Sequence, residues 1–254
     1  MSLRAIVGRT GGKSKLKEKI RRMIPKHTTY IEPFVGGGSV FFSAPADPNI
    51  KDIINDKDKD IISIYMDAKK ISDPIINIPV ISKETFNRLK NQKSFSSTRE
   101  RLKRNILLSH YSFRAGRQTY APSKGSENYA RTGAAGRDKD MTKYKERLKN
   151  TRILNQDYKS VIKKYDNPNA FIYLDPPYST ASANKDYNDN DIKIEDIINV
   201  LKGVKGKFIL SYDNIPLAKK LAREAGFKVM NVKTQYNDGR GGDIMKTELI
   251  IRNY

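Results

Sequence analysis

Apolar positions along this chain alternate between two spacings. In KSKLKEKIRRMI (13–24), Leu16, Ile20, Met23 and Ile24 fall on one face and predict an amphipathic helix. Tyr30–Val35 reads as a strand that runs into Gly36–Gly38, and SVFF (39–42) then has the look of a helix start. DPNIKDIIND (47–56) is a second strand with an acidic end, and KDIISIYMDAKK (59–70) is a helix. Strand–helix–strand–helix alternation is the signature of a parallel sheet. From about 72 to 150 the character changes. ISKETFNRLKNQ (81–92) and STRERLKRNILLSHYSF (97–113) are basic helical patterns that lead into an irregular stretch, 114–140. An unstructured stretch of that length is uncommon inside a compact domain and is usually functional. Alternation then resumes: RILNQDY (152–158) is followed by the strongly apolar AFIYLD (170–175) and the polar loop STASANKDYNDND (179–191). Helix IKIEDIINVLK, strand KFILSY, helix IPLAKKLAREAG and strand FKVMNVKTQY come next, and the loop NDGRGGD leads to a last strand, KTELIIRN. The final pair forms a hairpin, so the last strand is expected to be antiparallel in an otherwise parallel sheet. The pattern predicts an α/β domain from 1–70 and 150–254, interrupted by a mainly helical insertion at 71–149.

Composition then removes much chemistry. A chain of 254 residues buries a real core without disulfides or structural metals. It has no cysteine, which excludes thiolate zinc sites, iron–sulfur clusters, zinc deaminases and every cysteine nucleophile. Methylation of the cytosine ring carbon, which needs a thiolate, goes with them. Only His27 and His110 are present, so no metal is expected. Hydrophobic residues make up 37% and the mean hydropathy is −0.67. No apolar run approaches the roughly 18 residues of a membrane span, and MSLRAIVGRTGGK lacks a signal-peptide core. The expectation is a soluble, intracellular protein, in a bacterial cytoplasm or in a host cell if viral.

Charge points to a partner. Forty-nine Lys and Arg against 28 Asp and Glu give +21, a self-repulsion that a polyanion relieves. Residues 82–150 hold 18 Lys and Arg against 6 Asp and Glu, so +12 of the total is concentrated mid-chain. Nucleic acid is the expected partner.

Three constellations carry candidate chemistry. The first is GRTGGKS (8–14), where backbone N–H groups and a helix start favour an anion. As a Walker A loop it is one residue short, because Val7 stands where the first glycine belongs. A degenerate P-loop NTPase, with Asp175 on magnesium, is the enzymatic rival. The second is Glu32-Pro33-Phe34-Val35-Gly36-Gly37-Gly38, where clustered glycines would let a nucleoside lie close over a strand end. Phe41 stands where a dinucleotide fingerprint needs its third glycine, so a cofactor without phosphates fits better. Asp56, about twenty residues on, ends the next strand where a carboxylate accepts from ribose hydroxyls. The third is Asp175-Pro176-Pro177-Tyr178, directly after the most apolar strand. Pro177 forces Pro176 to be extended, and neither proline offers an N–H. The Pro176 carbonyl and the Asp175 carboxylate are then two neighbouring acceptors, suited to the two hydrogens of an exocyclic amine, with Tyr178 as a stacking face.

With these residues in view the chain resembles the Dam-like (alpha-group) DNA adenine-N6 methyltransferases over nearly its whole length. YIEPFVGGGSVFF is similar to the family's F-x-G-x-G cofactor turn, NDKDKDIISIY to its ribose-binding segment, and DPPY is the catalytic tetrapeptide. The resemblance implies a Rossmann-like methyltransferase fold with a C-terminal antiparallel hairpin and an inserted, basic target-recognition domain at 71–149. It implies S-adenosylmethionine as cofactor, leaving as S-adenosylhomocysteine, with contacts from Arg9, Gly12, Lys13, Pro33, Phe34, Gly36, Gly38, Asp56, Asp157, Asp175 and Tyr187. Arg9 departs from the aromatic or hydrophobic residue that the family places beside the cofactor. Asp175, Pro176 and Tyr178 are the implied catalytic residues. HYSFRAGRQTYAP (110–122) is a loose counterpart of the base-reading hairpin, which makes Arg114, Arg117 and Tyr120 candidate DNA contacts. The implied reaction is site-specific methylation of adenine N6 in double-stranded DNA by base flipping and direct transfer. The two acceptors alone do not distinguish amines, so cytosine N4 and RNA adenine stay open, as does a catalytically silent DNA-binding protein. A cognate restriction endonuclease and a monomeric or dimeric state also stay open.

Overall fold

The computed structural model describes residues 3–8, 13, 16–112, 117–121, 138–177, 192–237 and 243–254. In chain order its elements are α1 (Lys17–Met23), β1 (Thr29–Glu32), a 3-10 turn (Phe41–Ser43), β2 (Lys51–Asn55), α2 (Lys59–Lys70) and β3 (Ile75–Asn77). Then come α3 (Lys83–Asn91), α4 (Thr98–His110), β4 (Asp138–Asp140), α5 (Thr142–Leu148), β5 (Arg152–Leu154) and α6 (Tyr158–Tyr165). The chain closes with β6 (Ala170–Leu174), α7 (Ile194–Lys202), β7 (Lys207–Asp213), α8 (Pro216–Glu224), β8 (Lys228–Asn237) and β9 (Asp243–Arg252). The residues form two compact units, one of Met1–Ser14, Gly36–Ala46 and Asp58–Asn155, the other of Lys15–Val35, Asp47–Lys57 and Gln156–Tyr254.

The second unit holds the sheet strands β2-β1-β6-β7-β9-β8, in that order. β2, β1, β6 and β7 are parallel, with Ile31 opposite Ile53 and Ile172, and Ile172 opposite Phe208. β9 runs antiparallel to both β7 and β8, so the expected hairpin is present. This is the mostly parallel, Rossmann-like sheet expected from the sequence. Every residue of β1 and β6 is buried. A strand covered on both faces needs apolar residues at each position, which is why AFIYL shows no alternation. Ile194, Ile197, Ile198 and Leu201 form the buried face of α7, and Ala218 and Ala222 that of α8.

In the first unit α2 packs against α4 and α5. Ile61, Ile64, Tyr65 and Ala68 make up much of its buried side, and Asp58 caps its N-terminus by accepting from the N–H groups of Asp60 and Ile61. The Asp67 carboxylate, also buried, takes a forked pair of bonds from Arg101 on α4, 2.8 and 2.6 Å. Lys145 donates to the Ile71 carbonyl at the end of α2 (2.8 Å), and Arg104 donates to the Leu89 and Lys90 carbonyls at the end of α3 (both 2.9 Å). Cations thus close helix C-termini, where unpaired carbonyls gather.

Several boundaries differ from the sequence reading. The first helix begins at Lys17 rather than at 13. The first strand stops at Glu32 because Pro33 has no N–H to continue the ladder. SVFF yields only a single 3-10 turn, and Pro45 and Pro48 follow closely enough to prevent a helix. α5, α6 and the antiparallel pair β3–β4 were not expected from the pattern. The compact units also depart from the boundaries at 70 and 150: α2, expected with the strands, belongs to the unit of α4 and α5, because its buried face and Asp67 are used there.

Candidate active site

The carboxyl ends of β1, β2 and β6 meet at one edge of the parallel sheet, the side on which open α/β sheets bind ligands. β1 lies between the other two, and its end carries Glu32 beside the register position of Tyr173. Two residues further along the β6 segment stand Asp175, half-buried, and Pro176, buried. Pro176 and Pro177 cannot donate to a ladder, and β6 ends at Leu174, just before them. Beneath this end, the Tyr173 hydroxyl and Ser211 Oγ are 3.0 Å apart, both buried. Burial pushes the Tyr173 phenol well above its usual range, and the charges of Asp175, Glu32 and Glu248 add to the effect. Tyr30 donates to Glu32 Oε2 at 2.6 Å, and burial followed by Glu32 likewise raises its phenol. Both phenols stay protonated, so they support the edge without adding negative charge.

Asn55, the last residue of β2, ties the edge together. Its Nδ2 donates to the Pro33 carbonyl (2.9 Å) and to the Gln156 carbonyl (3.0 Å), while its Oδ1 accepts from Gln156 N–H (2.8 Å). Its own carbonyl accepts from Val35 N–H at 2.8 Å. These bonds bring Pro33, Phe34, Asp56 and Asp157 to the same sheet edge. Asp56 and Phe34 are half-buried there. The Phe34 ring lies against that of Tyr158, centroids 5.1 Å apart. Burial, then Asp196 and Asp157, pushes the Tyr158 phenol up to about 12. Asp157 is the N-cap of α6, its Oδ1 accepting from Lys159 N–H at 2.9 Å.

The glycine turn and Lys13 belong to the first unit. Gly36 and Gly38 have φ of 48° and 75°, the left-handed region that favours glycine. A Cβ on Gly37 would come within 2.3 Å of the Val7 carbonyl oxygen. One on Gly38 would lie 2.6 Å from Tyr65 Oη and 2.8 Å from the Phe42 ring. The sequence reading reserved this space for a nucleoside, yet on the Cβ side of Gly37 and Gly38 the protein fills it. Ile6 N–H donates to the Gly37 carbonyl (2.9 Å), and the Tyr65 hydroxyl donates to that of Gly36 (2.8 Å). From the other side, Lys139 on β4 donates to the Ile6 carbonyl, and burial pulls its ammonium down to about 8. Lys13 is buried.

Of the residues expected to meet DNA, Arg117 adopts φ 61° and pairs with Asp58, with Asp60 at 3.6 Å. Tyr120 donates to the Ile81 carbonyl (2.9 Å) and its ring lies against Phe86. Both side chains therefore serve packing within the first unit. Arg9, Gly12, Arg114, Tyr178 and Tyr187 lie outside the described residues. Asn55 and Lys139 were not singled out from the sequence, and Gly37 was named only within the glycine cluster, not as a contact. Gly37 had a signal, as the middle of three glycines; Asn55 and Lys139 had none, since their partners lie about a hundred residues or more away.

The model of the D12 class N6 adenine-specific DNA methyltransferases matches residues 10–237. The type II methyltransferase M1.LlaDCHI of Lactococcus lactis subsp. cremoris is 27% identical, the alignment covering all of this chain and 96% of that protein. The type II methyltransferase M.MjaIII of Methanocaldococcus jannaschii is 26% identical, with both chains covered in full. The DNA adenine methylase of Escherichia coli K12 is 22% identical over 99% of this chain and 95% of its own.

Proposed function

This chain belongs to the D12 class N6 adenine-specific DNA methyltransferases, and from that premise we propose that it methylates N6 of an adenine flipped out of double-stranded DNA, using S-adenosylmethionine. The observation that carries the proposal is the end of β6. It puts a half-buried carboxylate and a proline-locked carbonyl at the sheet edge where Phe34, Asp56 and Asp157 gather.

The residues at that edge suit the cofactor. Phe34 offers a half-buried ring, and Asp56 and Asp157 are carboxylates able to accept from hydroxyl and amine groups. When bound, S-adenosylmethionine supplies a methyl group on a positively charged sulfur. The chain's own task is to make a poor nucleophile attack. The adenine amine is unreactive because its lone pair is delocalised into the ring. The Asp175 carboxylate and the Pro176 carbonyl accept its two hydrogens, which favours a pyramidal nitrogen with the lone pair directed away from them. Positive charge that develops on N6 then faces a fixed anion, and removing such a preorganised partner costs on the order of a hundredfold or more in rate. Flipping the base costs a few kcal/mol.

The acceptors alone do not distinguish adenine from cytosine or DNA from RNA; the family membership favours adenine in DNA. A methyltransferase match that begins at residue 10 also leaves the P-loop reading without support. DNA is proposed to lie along the basic segment 82–150, with Arg114 and Arg117 as base contacts, while Tyr120, bonded to the Ile81 carbonyl and packed on Phe86, supports that segment from within. For Arg117 this requires exchanging Asp58 for a nucleic-acid group.

The test is transfer of labelled methyl from S-adenosylmethionine to duplex DNA, with the modified base mapped. Asp175→Ala is expected to lower turnover at least about a hundredfold while binding of S-adenosylhomocysteine and of DNA stays measurable. Substantial remaining turnover removes Asp175 from the mechanism.

A further inference from the structure

We infer that Asn55 is a positioning residue for the cofactor: its side-chain amide sets the spacing between the turn after β1 and the segment before α6, which flank the S-adenosylmethionine site. The inference rests on the functional reading above.

Besides Asp175, the candidate cofactor contacts among the described residues of the second unit lie on three short segments, namely Pro33–Phe34, Asp56 and Asp157. The β1–β2 ladder ends at Glu32 and Asn55, and past it a single main-chain bond, from Val35 N–H to the Asn55 carbonyl (2.8 Å), ties the turn after β1 to β2, leaving the segment before α6 to the Asn55 side chain. Asn55 supplies the missing bonds. Its amide donates to the Pro33 and Gln156 carbonyls and accepts from Gln156 N–H, at 2.9, 3.0 and 2.8 Å. Both amide hydrogens and the amide oxygen are thus used, and the residue is 1% exposed. No other short side chain brings two donors and an acceptor to one point. Aspartate has only acceptors when ionised, serine has one hydroxyl hydrogen, and glutamine is a methylene too long. Because the site is buried, water cannot replace a lost bond, and carbonyls left without a donor push the segments apart. The next residue, Asp56, and the residue after Gln156, Asp157, move with the two backbones that Asn55 joins. None of these bonds involves Asp175 or the recognition insertion, so the effect of losing them belongs to cofactor binding.

The full-length protein and its Asn55→Asp and Asn55→Ser variants distinguish this role from a general structural one. The readouts are equilibrium binding of S-adenosylhomocysteine, the KM for S-adenosylmethionine, kcat at saturation, DNA affinity and the unfolding midpoint. In a folded variant, S-adenosylhomocysteine is expected to bind about tenfold or more weakly and KM to rise in step, with kcat within about threefold and DNA affinity unchanged. Cofactor affinity within about twofold of wild type in either folded variant overturns the inference. Parallel losses of kcat, cofactor binding and DNA binding also overturn it, as does failure of both variants to fold, since Asn55 would then serve the fold at large. If wild-type protein does not bind S-adenosylhomocysteine, it is the functional reading that has failed, and that outcome is visible before any variant is made.

Discussion

Gly38 combines two demands that usually occur apart. Its φ of 75° is unfavourable for any L side chain, and a Cβ there would meet Tyr65 Oη and the Phe42 ring. Gly226 shows the first demand alone, with φ 76° and nothing within 4 Å of its would-be Cβ. Gly226→Ala is therefore expected to cost about 1–2 kcal/mol from backbone strain. Gly38→Ala adds overpacking, for a total of about 3 kcal/mol or more. Urea unfolding of the two variants checks the difference, and equal losses would show that the crowding at Gly38 relaxes at no cost. The glycines were legible in the sequence, but not what demands them: Val7, Phe42 and Tyr65 reach the turn only through the fold. Asn55 was less legible still. A polar residue at a strand end has no distinguishing pattern, and its role depends on Gln156 returning to it from 101 positions away. Asp175 and Pro176, by contrast, stand together in a local tetrapeptide, which is why the sequence alone could propose them.

Between elements, α2 and α4 are joined by Arg101 and Asp67, with Asn105 donating to Ser63 at 2.8 Å on the same contact. Asp67 is 1% exposed, whereas the Arg101 side chain is 43% exposed. The pair therefore matters chiefly for the carboxylate it prevents from being stranded. Arg101→Met is expected to destabilise by about 1–3 kcal/mol, the usual cost of a buried group left without its partner. Adding Asp67→Asn is expected to return part of the loss, since a neutral amide is easier to bury than a lone charge. Denaturant midpoints of the single and double variants decide this, and a double variant no more stable than Arg101→Met excludes the stranded charge as the cause. Long periodic elements were readable in the sequence: α2 was expected over 59–70 and spans Lys59–Lys70. Short ones were not, because β3 and β4 have three residues each and cannot display a period. α6 is a true omission, since Tyr158, Val161, Ile162 and Tyr165 follow helical spacing behind an Asp157 cap.

Over the whole molecule, charge is less available than the count suggests. Within the basic stretch, Arg101 and Arg117 pair with carboxylates. Arg104, Lys139 and Lys145 hold main-chain carbonyls, and Arg147 lies over the Phe41 ring at 3.8 Å while donating to Ala44. A net +12 between 82 and 150 would, at about 0.9 log unit per phosphate neutralised, give a salt slope near −11 for DNA binding. With these cations engaged, the expected slope of log affinity against log salt is negative but shallower than about −8. Titration of DNA binding from low to high salt checks it; a flat profile removes phosphate contacts, and a slope of about −11 means the internal pairs open on binding. The bonds between Asn55 and Gln156 have one more consequence. They pin the two ends of an excursion of about a hundred residues to neighbouring points of the second unit. Once such a loop is closed, its entropy depends only logarithmically on its length, and doubling it costs about 0.6 kcal/mol. For the exposed connections of that stretch, added residues are therefore penalised only slightly by the closure itself, whereas its packed helices α2, α4 and α5 answer to their own contacts.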